Sequence, residues 1–244
     1  ELVIVDDCSS DKTVEIAKQY EAKDNRVKVF VNEKNLGDYP NRNKAASYAT
    51  GHYIMYVDSD DFILENHIET SLTICLNDPN VKLVLPSRIH DEFTGKCKLS
   101  PLESYTEHFY HSGFLETGPL GALICSDSFY EIGGFSGRRM IGDVELFLNL
   151  SSKFYIVRID SKGINSRVDN TKESNFGEYF YLVEILDVYK TALFATNCPI
   201  INKRYSLISM KFFERESVIV KRFLKTLNPK YITYFFKAIY YLFK

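Results

Sequence analysis

The apolar run Tyr53-Ile54-Met55-Tyr56-Val57 stops abruptly at Asp58-Ser59-Asp60-Asp61. A short apolar run led in by Gly51 and closed by a charge cluster reads as a buried strand. Three carboxylates at its C-terminal end repel one another unless a cation sits among them. A hard divalent ion satisfies them, because Mg2+ and Mn2+ take oxygen ligands and are commonly shared between carboxylates and a phosphate. In open α/β sheets, ligands bind at the carboxyl ends of strands. The tetrapeptide therefore reads as a metal-diphosphate site, with Asp60 on the metal and Asp58 on a ribose hydroxyl or a metal-bound water.

Around this strand the chain alternates. Leu2–Val5 and Val27–Val31 read as strands, and Thr13 to Tyr20 reads as a helix with Val14, Ala17 and Tyr20 on one face. Residues 32–40 read as a loop, and Asn41 to Thr50 as an Ala-rich helix stopped by Gly51. A helix over Glu65–Leu76 and a strand over Val81–Leu85 follow the acidic cluster. The order β-α-β-α-β-α-β predicts a mostly parallel sheet flanked by helices. Residues 86–125 read as short pieces around a site. Helices are expected at Ser126–Ile132 and Asp143–Ser152, a strand at Tyr155–Ile159, and a polar loop over 160–176. From Gly177 the pattern is helical, with breaks near Pro199 and Pro229.

With 244 residues, of which 45% are hydrophobic and 25% charged, the chain can build a large core. Its five cysteines form no C-x-x-C pair, which argues against a disulfide framework or zinc site and for a reducing cytoplasm. No uninterrupted apolar stretch is long enough to span a bilayer, and no signal peptide opens the chain. The net charge of −2 hides an asymmetry: residues 201–244 carry ten Lys/Arg against two Glu, a balance of +8, which leaves −10 on the first 200. Such a split suggests two parts with different partners. Lys230, Lys237 and Lys244 recur every seven residues on an otherwise aromatic and aliphatic helix. That pattern suits either an interfacial helix on an anionic membrane or a helix packed on protein.

Two further acidic clusters, Asp6-Asp7 and Asp143/Glu145, sit at predicted element ends. Asp7 is placed to accept hydrogen bonds from a base or ribose, and Arg42 begins a helix that suits a diphosphate. Asp143 is the candidate general base; at a helix N-terminus its carboxylate is expected to be favoured and its pKa low. The plainer alternative for each is a helix cap or a solvated turn. An EF-hand beginning at Asp58 fails, because Phe62 and Ile63 stand where an oxygen ligand and Gly are needed. Phe62 also disfavours a metal-dependent phosphohydrolase. The five histidines show no metal-ligand spacing.

Together these residues resemble glycosyltransferase family 2, the inverting enzymes of GT-A fold. The matching stretches are Val3-Ile4-Val5-Asp6-Asp7-Cys8-Ser9-Ser10-Asp11, Asn35-Leu36-Gly37 with Arg42-Asn43, the segment 51–61, and Gly133-Gly134-Phe135 with Asp143-Val144-Glu145-Leu146. The resemblance covers about residues 1–155. It implies a GT-A, Rossmann-like domain over 1–160 and a linker with a C-terminal helical region over 161–244. It also implies a nucleotide-sugar donor, a Mn2+ or Mg2+ cofactor, and a saccharide or lipid-linked acceptor, with no nucleic-acid partner. Asp7 matches the nucleoside-binding Asp, Asp58 and Asp60 the DxD motif, and Asp143 the base. The chain departs from the family in three places. Gly142 precedes Asp143 where Glu is usual, Cys8 stands where Gly is common, and the family's first strand is expected to precede Glu1. Arg167-Val168-Asp169 faintly resembles a later Arg-x-His segment. The implied setting is cytoplasmic, at the inner face of a membrane, with a non-catalytic sugar-nucleotide-binding relative as the alternative.

Overall fold

The computed structural model describes residues 1–88, 92–166, 178–202, 204–226 and 229–243. It begins with a β-α-β unit: β1 (Leu2–Asp6), α1 (Thr13–Glu21) and β2 (Val27–Val31). The two strands pair in parallel, Leu2 opposite Val27 and Asp6 opposite Val31, and Ala17 of α1 packs on Val27 and Val29. Helix α2 (Asp38–Tyr48) starts three residues earlier than the pattern around Pro40 predicts. Pro40 lies in the first turn, where a backbone N–H has no intrahelical acceptor in any case, so its ring does not break the helix.

The acidic cluster lies between β3 (Tyr53–Met55) and β4 (Asp61–Ile63), and is followed by α3 (Glu65–Asn77) and β5 (Val81–Pro86). Then come β6 (Lys96–Leu99), α4 (Pro101–Thr106), a π-helical turn at Glu107–Ser112, β7 (Leu123–Cys125), α5 (Ser126–Glu131), α6 (Gly142–Lys153) and β8 (Tyr155–Ile159). A five-stranded sheet has the order β3-β7-β5-β8-β6. Strands β5 and β8 are parallel, whereas β7 runs antiparallel to β3 and β5, and β6 antiparallel to β8. The sheet is thus more mixed than the alternating pattern predicts. The two antiparallel strands come from 86–125, where no period is legible. Strand β6 is an exposed edge carrying Lys96 and Lys98, the usual guard against edge pairing, and β7 has only three residues. Among the described residues, β1 pairs only with β2 and β3 only with β7.

The polar stretch expected as a loop over 160–176 instead opens with a 3₁₀ turn at Ser161–Gly163 and β9 (Ile164–Ser166). Strand β9 pairs antiparallel with β4, setting Phe62 opposite Asn165. The segment that ends the acidic cluster is therefore held as a strand. Arg167-Val168-Asp169 lies outside the described residues.

Helices α7 (Glu178–Phe194), α8 (Arg204–Thr226) and α9 (Lys230–Phe243) follow. Helix α3 covers one face of the large sheet through Cys75, Val81, Val84 and Val157. On the other face Leu83, Ile124 and Ile156 meet Val144 and Phe147 of α6, and the same core continues through Tyr189, Leu193 and Leu207 of α7 and α8. The hydrophobic core therefore runs without a break across residue 160. Helix α9 seats Tyr231 and Ala238 against Val183, Leu186, Phe212 and Ile219. Of the lysine stripe, Lys237 pairs with Glu184 while Lys230 is exposed. The face turned outward carries Ile232, Phe236 and Tyr240. Among the described residues, no helix is long and apolar enough to cross a membrane.

Candidate active site

Asp7 directly follows β1. Its carboxylate accepts 2.8 Å hydrogen bonds from the amides of Leu36 and Gly37 and from Asn32 Nδ2. Burial opposes the charged form, but these three donors outweigh it and hold the carboxyl below its usual range. Asn35 Nδ2 adds a bond to the Asp7 carbonyl at 3.0 Å. Asp7 thus fixes the Asn35-Leu36-Gly37 loop at the strand end, where the sequence reading has it facing a nucleoside. Cys8 adopts φ 70°, a left-handed conformation that accounts for glycine being common at this position.

Helix α2 carries the next group. Arg42 Nη2 lies 2.8 and 2.7 Å from the two oxygens of Asp58, and Nη1 pairs with Asp38 one turn earlier. Arg42 is thereby aimed at the acidic cluster from the side. Asn43, the next residue, has a structural task. It donates to the Phe135 carbonyl at 2.8 Å and accepts from the Phe135 amide at 3.0 Å. This reciprocal pair ties the Gly133-Gly134-Phe135 turn to α2. Gly134 has φ +68°, and a Cβ there would come within 2.7 Å of Asn43 Oδ1, so both conformation and space call for glycine. Lys44 turns away and lies over the Tyr48 ring at 5.1 Å.

Asp58, Ser59 and Asp60 form a turn closed by the Asp61 amide donating to the Asp58 carbonyl at 3.0 Å. Asp58 and Asp60 are both partly buried there. Among the described residues, no group of three His, Cys, Asp or Glu side chains is placed to hold a metal on its own. Asp58 is engaged with Arg42, and Asp60 stands two residues further on in the same turn. Such a donor set fits a hard ion that takes most of its ligands from phosphate and water, and does not fit a closed structural cage.

Asp143 sits in the first turn of α6, partly buried, with the Val144 amide donating to its Oδ1 at 2.8 Å. Burial pushes its carboxyl up to about 6, against the opposing pull of the Val144 amide, the Tyr39 hydroxyl and the Arg42 charge. The low pKa expected from the helix terminus is therefore corrected: desolvation outweighs the dipole and the local hydrogen bonds. Arg42 is the link between stations, since it grips Asp58 and also favours the Asp143 carboxylate.

Sequence reasoning missed Tyr39, which is 3% exposed and bonded to Asp143. It also missed a buried network behind the base. Glu116 accepts from Tyr181 at 3.0 Å, from Tyr189, and from Arg215 Nη2 at 2.6 and 2.7 Å. Burial first and the Glu116 charge second hold the phenol of Tyr181 on α7 protonated, and the Asp143 charge adds to them. The C-terminal helices thus furnish part of the wall beside the base. No local pattern announces this, because the partners are separated by 65 to 99 residues.

A mixed sheet flanked by helices, with acidic groups gathered at the ends of its strands, matches the sugar-transferring enzymes of GT-A fold among solved structures. The chain is similar to S. aureus TarS 1–349 in complex with UDP-GlcNAc, with TM-score 0.71 and 18% identity, covering 98% of this chain and 70% of that one. It is also similar to the mannosyltransferase PcManGT of Pyrobaculum calidifontis in complex with GDP-Man and Mn2+, with TM-score 0.51 and 13% identity, covering 100% and 75%. The Glycosyl transferase family 2 profile matches residues 1–139, and the chain belongs to that family. TuaG of Bacillus subtilis, named as a teichuronic acid biosynthesis glycosyltransferase, is 44% identical over 72 residues, which are 30% of this chain and 29% of TuaG. An uncharacterized glycosyltransferase of Haemophilus influenzae is 29% identical over 156 residues, 62% of this chain and 51% of the relative. The matches thus span between about three-tenths and half of these relatives' lengths.

Proposed function

We propose that this glycosyltransferase moves a sugar from a nucleotide-diphospho-sugar, probed here as a UDP-sugar, to a hydroxyl of a saccharide or lipid-linked acceptor, with inversion at the anomeric carbon. The observation that carries the reading is Asp143, a recessed carboxylate raised to about 6 and electrostatically tied through Arg42 to Asp58. A base of that pKa is ionised at neutral pH yet more basic than an ordinary carboxylate, which suits removal of an acceptor proton as the oxygen attacks. Asp7 and its loop border the nucleoside, and Asp58 with Arg42 borders the ribose and diphosphate. Asp60 would hold Mn2+ or Mg2+, which when bound offsets the charge that develops on the departing diphosphate. The donor complexes of TarS and PcManGT, and the Mn2+ in the latter, support the donor class and the metal.

The name of TuaG supports a role in building a surface polysaccharide or glycolipid. The basic C-terminal region supports work at an anionic inner membrane face. The decisive experiment is Asp143→Asn. Transfer should fall by about 10²–10⁴-fold, while UDP-sugar binding stays within about three-fold. Turnover at the wild-type rate would remove Asp143 as the base, whereas binding of a UDP-sugar without turnover in the wild type itself would favour the non-catalytic alternative.

A further inference from the structure

The N-terminus of α6 has an unusual cap. Its N-cap residue is Ile141, whose side chain has no acceptor for the first-turn amides. The Tyr39 side chain reaches over from α2, its ring lying against Gly142 and its hydroxyl acting electrostatically on both the amide and the carboxylate of Asp143. Burial keeps this phenol protonated far above the usual tyrosine range, so it stays a donor throughout the working pH range.

The ring is fixed on every side. It stacks on Phe135 at 5.1 Å with an interplanar angle of 29°. The Arg42 guanidinium lies 5.3 Å from its centroid. Its third neighbour is Gly142: a Cβ built there would lie 2.8 Å from Tyr39 Cδ2 and 3.0 Å from Cγ and Cε2. Those are atoms of a buried ring stacked on Phe135, not the far end of a flexible chain. Any residue larger than glycine at 142 must displace the ring, and with it the hydroxyl on Asp143.

We infer that Tyr39 is the positioning residue for Asp143, and that Gly142 is glycine because the Tyr39 ring occupies the space its side chain would take. This rests on the reading of Asp143 as the base, and it deepens that reading. It also accounts for the departure at 142. The missing acidic side chain marks a repacked base site in which the support comes from α2. The charged and titratable groups facing Asp143 are Tyr39 and Arg42 from α2 and Tyr181 from α7. Of these, Tyr39 is the one that acts on both its carboxylate and its amide.

The test uses three variants of the intact chain. Tyr39→Phe keeps the ring and removes the hydroxyl. It should lower kcat about tenfold or more, a loss typical of a misaligned base, with KM for a UDP-sugar changed less than about three-fold. A merely structural role would not move the titration of Asp143. Carbon-13 carboxyl NMR, with Asp143 assigned by its loss in Asp143→Asn, should show the midpoint rising from about 6, because a bond that favours the carboxylate has been removed. Gly142→Ala should lower Tm, and Gly142→Ala with Tyr39→Ala should lose less than the two single changes together. An unmoved NMR midpoint, an unchanged kcat in Tyr39→Phe, or strictly additive Tm losses would each overturn the inference. Failure of the underlying base reading is separately visible: Asp143→Asn would then turn over normally while the Tyr39→Phe midpoint still moved.

Discussion

Arg42 grips Asp58 through a single nitrogen, with Nη2 2.8 Å from one carboxylate oxygen and 2.7 Å from the other. Its second terminal nitrogen holds Asp38, so one guanidinium clamps the first turn of α2 to the end of the strand that carries the acidic cluster. The planar fork makes this possible, since an ammonium is a point charge that cannot hold two carboxylates in fixed directions. Arg42→Lys therefore keeps the charge and loses the clamp. UDP affinity measured by calorimetry with Mn2+ should weaken about tenfold, equivalent to about 1.4 kcal/mol. Wild-type affinity in this variant would show that charge alone suffices.

Asp60 has a different expected signature. No three-ligand group exists among the described residues, so a cation here depends on the donor's phosphates for most of its coordination. Metal and nucleotide should then bind interdependently. In Asp60→Ala the difference between UDP affinity measured with Mn2+ and with EDTA should collapse, whereas in the wild type it should be large. A metal-dependent increment that survives the substitution would move the ion to another residue.

The raised Asp143 carboxyl makes predictions about both rate and stability. Below about pH 4 the residue is protonated in both folded and unfolded chains, and its shift contributes nothing. Between about 4 and 6 the folded state keeps a proton that the unfolded state releases, so stability falls as pH rises through that window and stays lower above it. Asp143→Asn removes this cost. It should be more stable than the wild type by about 1–3 kcal/mol at pH 7.5, and the gain should vanish near pH 4. The wild-type rate should fall on the acid side with a midpoint near 6. A stability gain that is independent of pH would mean that the substitution acts through packing and not through the charge.

The candidate residues carried by contiguous motifs could be picked out of the sequence, and their roles remain the proposal made above. Asp7, Asp58, Asp60 and Asp143 each lie at the end of an apolar run or helix, where period and charge change together. The family resemblance also gave the fold class, and the structural likeness to TarS bears it out. What stayed hidden is tertiary. Strands β6 and β7 are too short to show a period, so the mixed character of the sheet was not visible. Tyr39 lies two residues after Gly37 in what reads as a loop, and nothing local says that its side chain reaches Asp143, more than a hundred positions away. The low pKa expected for Asp143 was wrong because a helix terminus is a local feature, whereas desolvation is set by what the rest of the chain packs around it.

The sequence left α9 either on an anionic membrane or packed on protein, and the structure makes the membrane prediction more specific. The lysine spacing on α9 singled out Lys230 and Lys237, yet Lys237 pairs with Glu184, and Arg215 on α8 is spent on Glu116. The outward faces each carry a line of apolar side chains. Ile232, Phe236 and Tyr240 follow one another at helical spacing on α9, and Phe213, Val220 and Leu224 do so on α8, each 41–68% exposed. Lys221 and Lys225 flank the α8 line and are exposed as well. Apolar side chains bordered by lysine suit shallow insertion at an anionic bilayer surface, where burial and charge attraction add. Vesicles containing phosphatidylserine should carry the protein on flotation, and neutral phosphatidylcholine vesicles should carry much less. Phe213→Ser with Phe236→Ser should abolish flotation without lowering Tm, because both rings stand outside the core. Lys237→Ala should lower Tm and leave flotation intact, since that lysine serves the fold. If Lys237→Ala abolished flotation while the phenylalanine pair did not, the lysine stripe would be the membrane face after all, and α9 would have to leave α7 to present it.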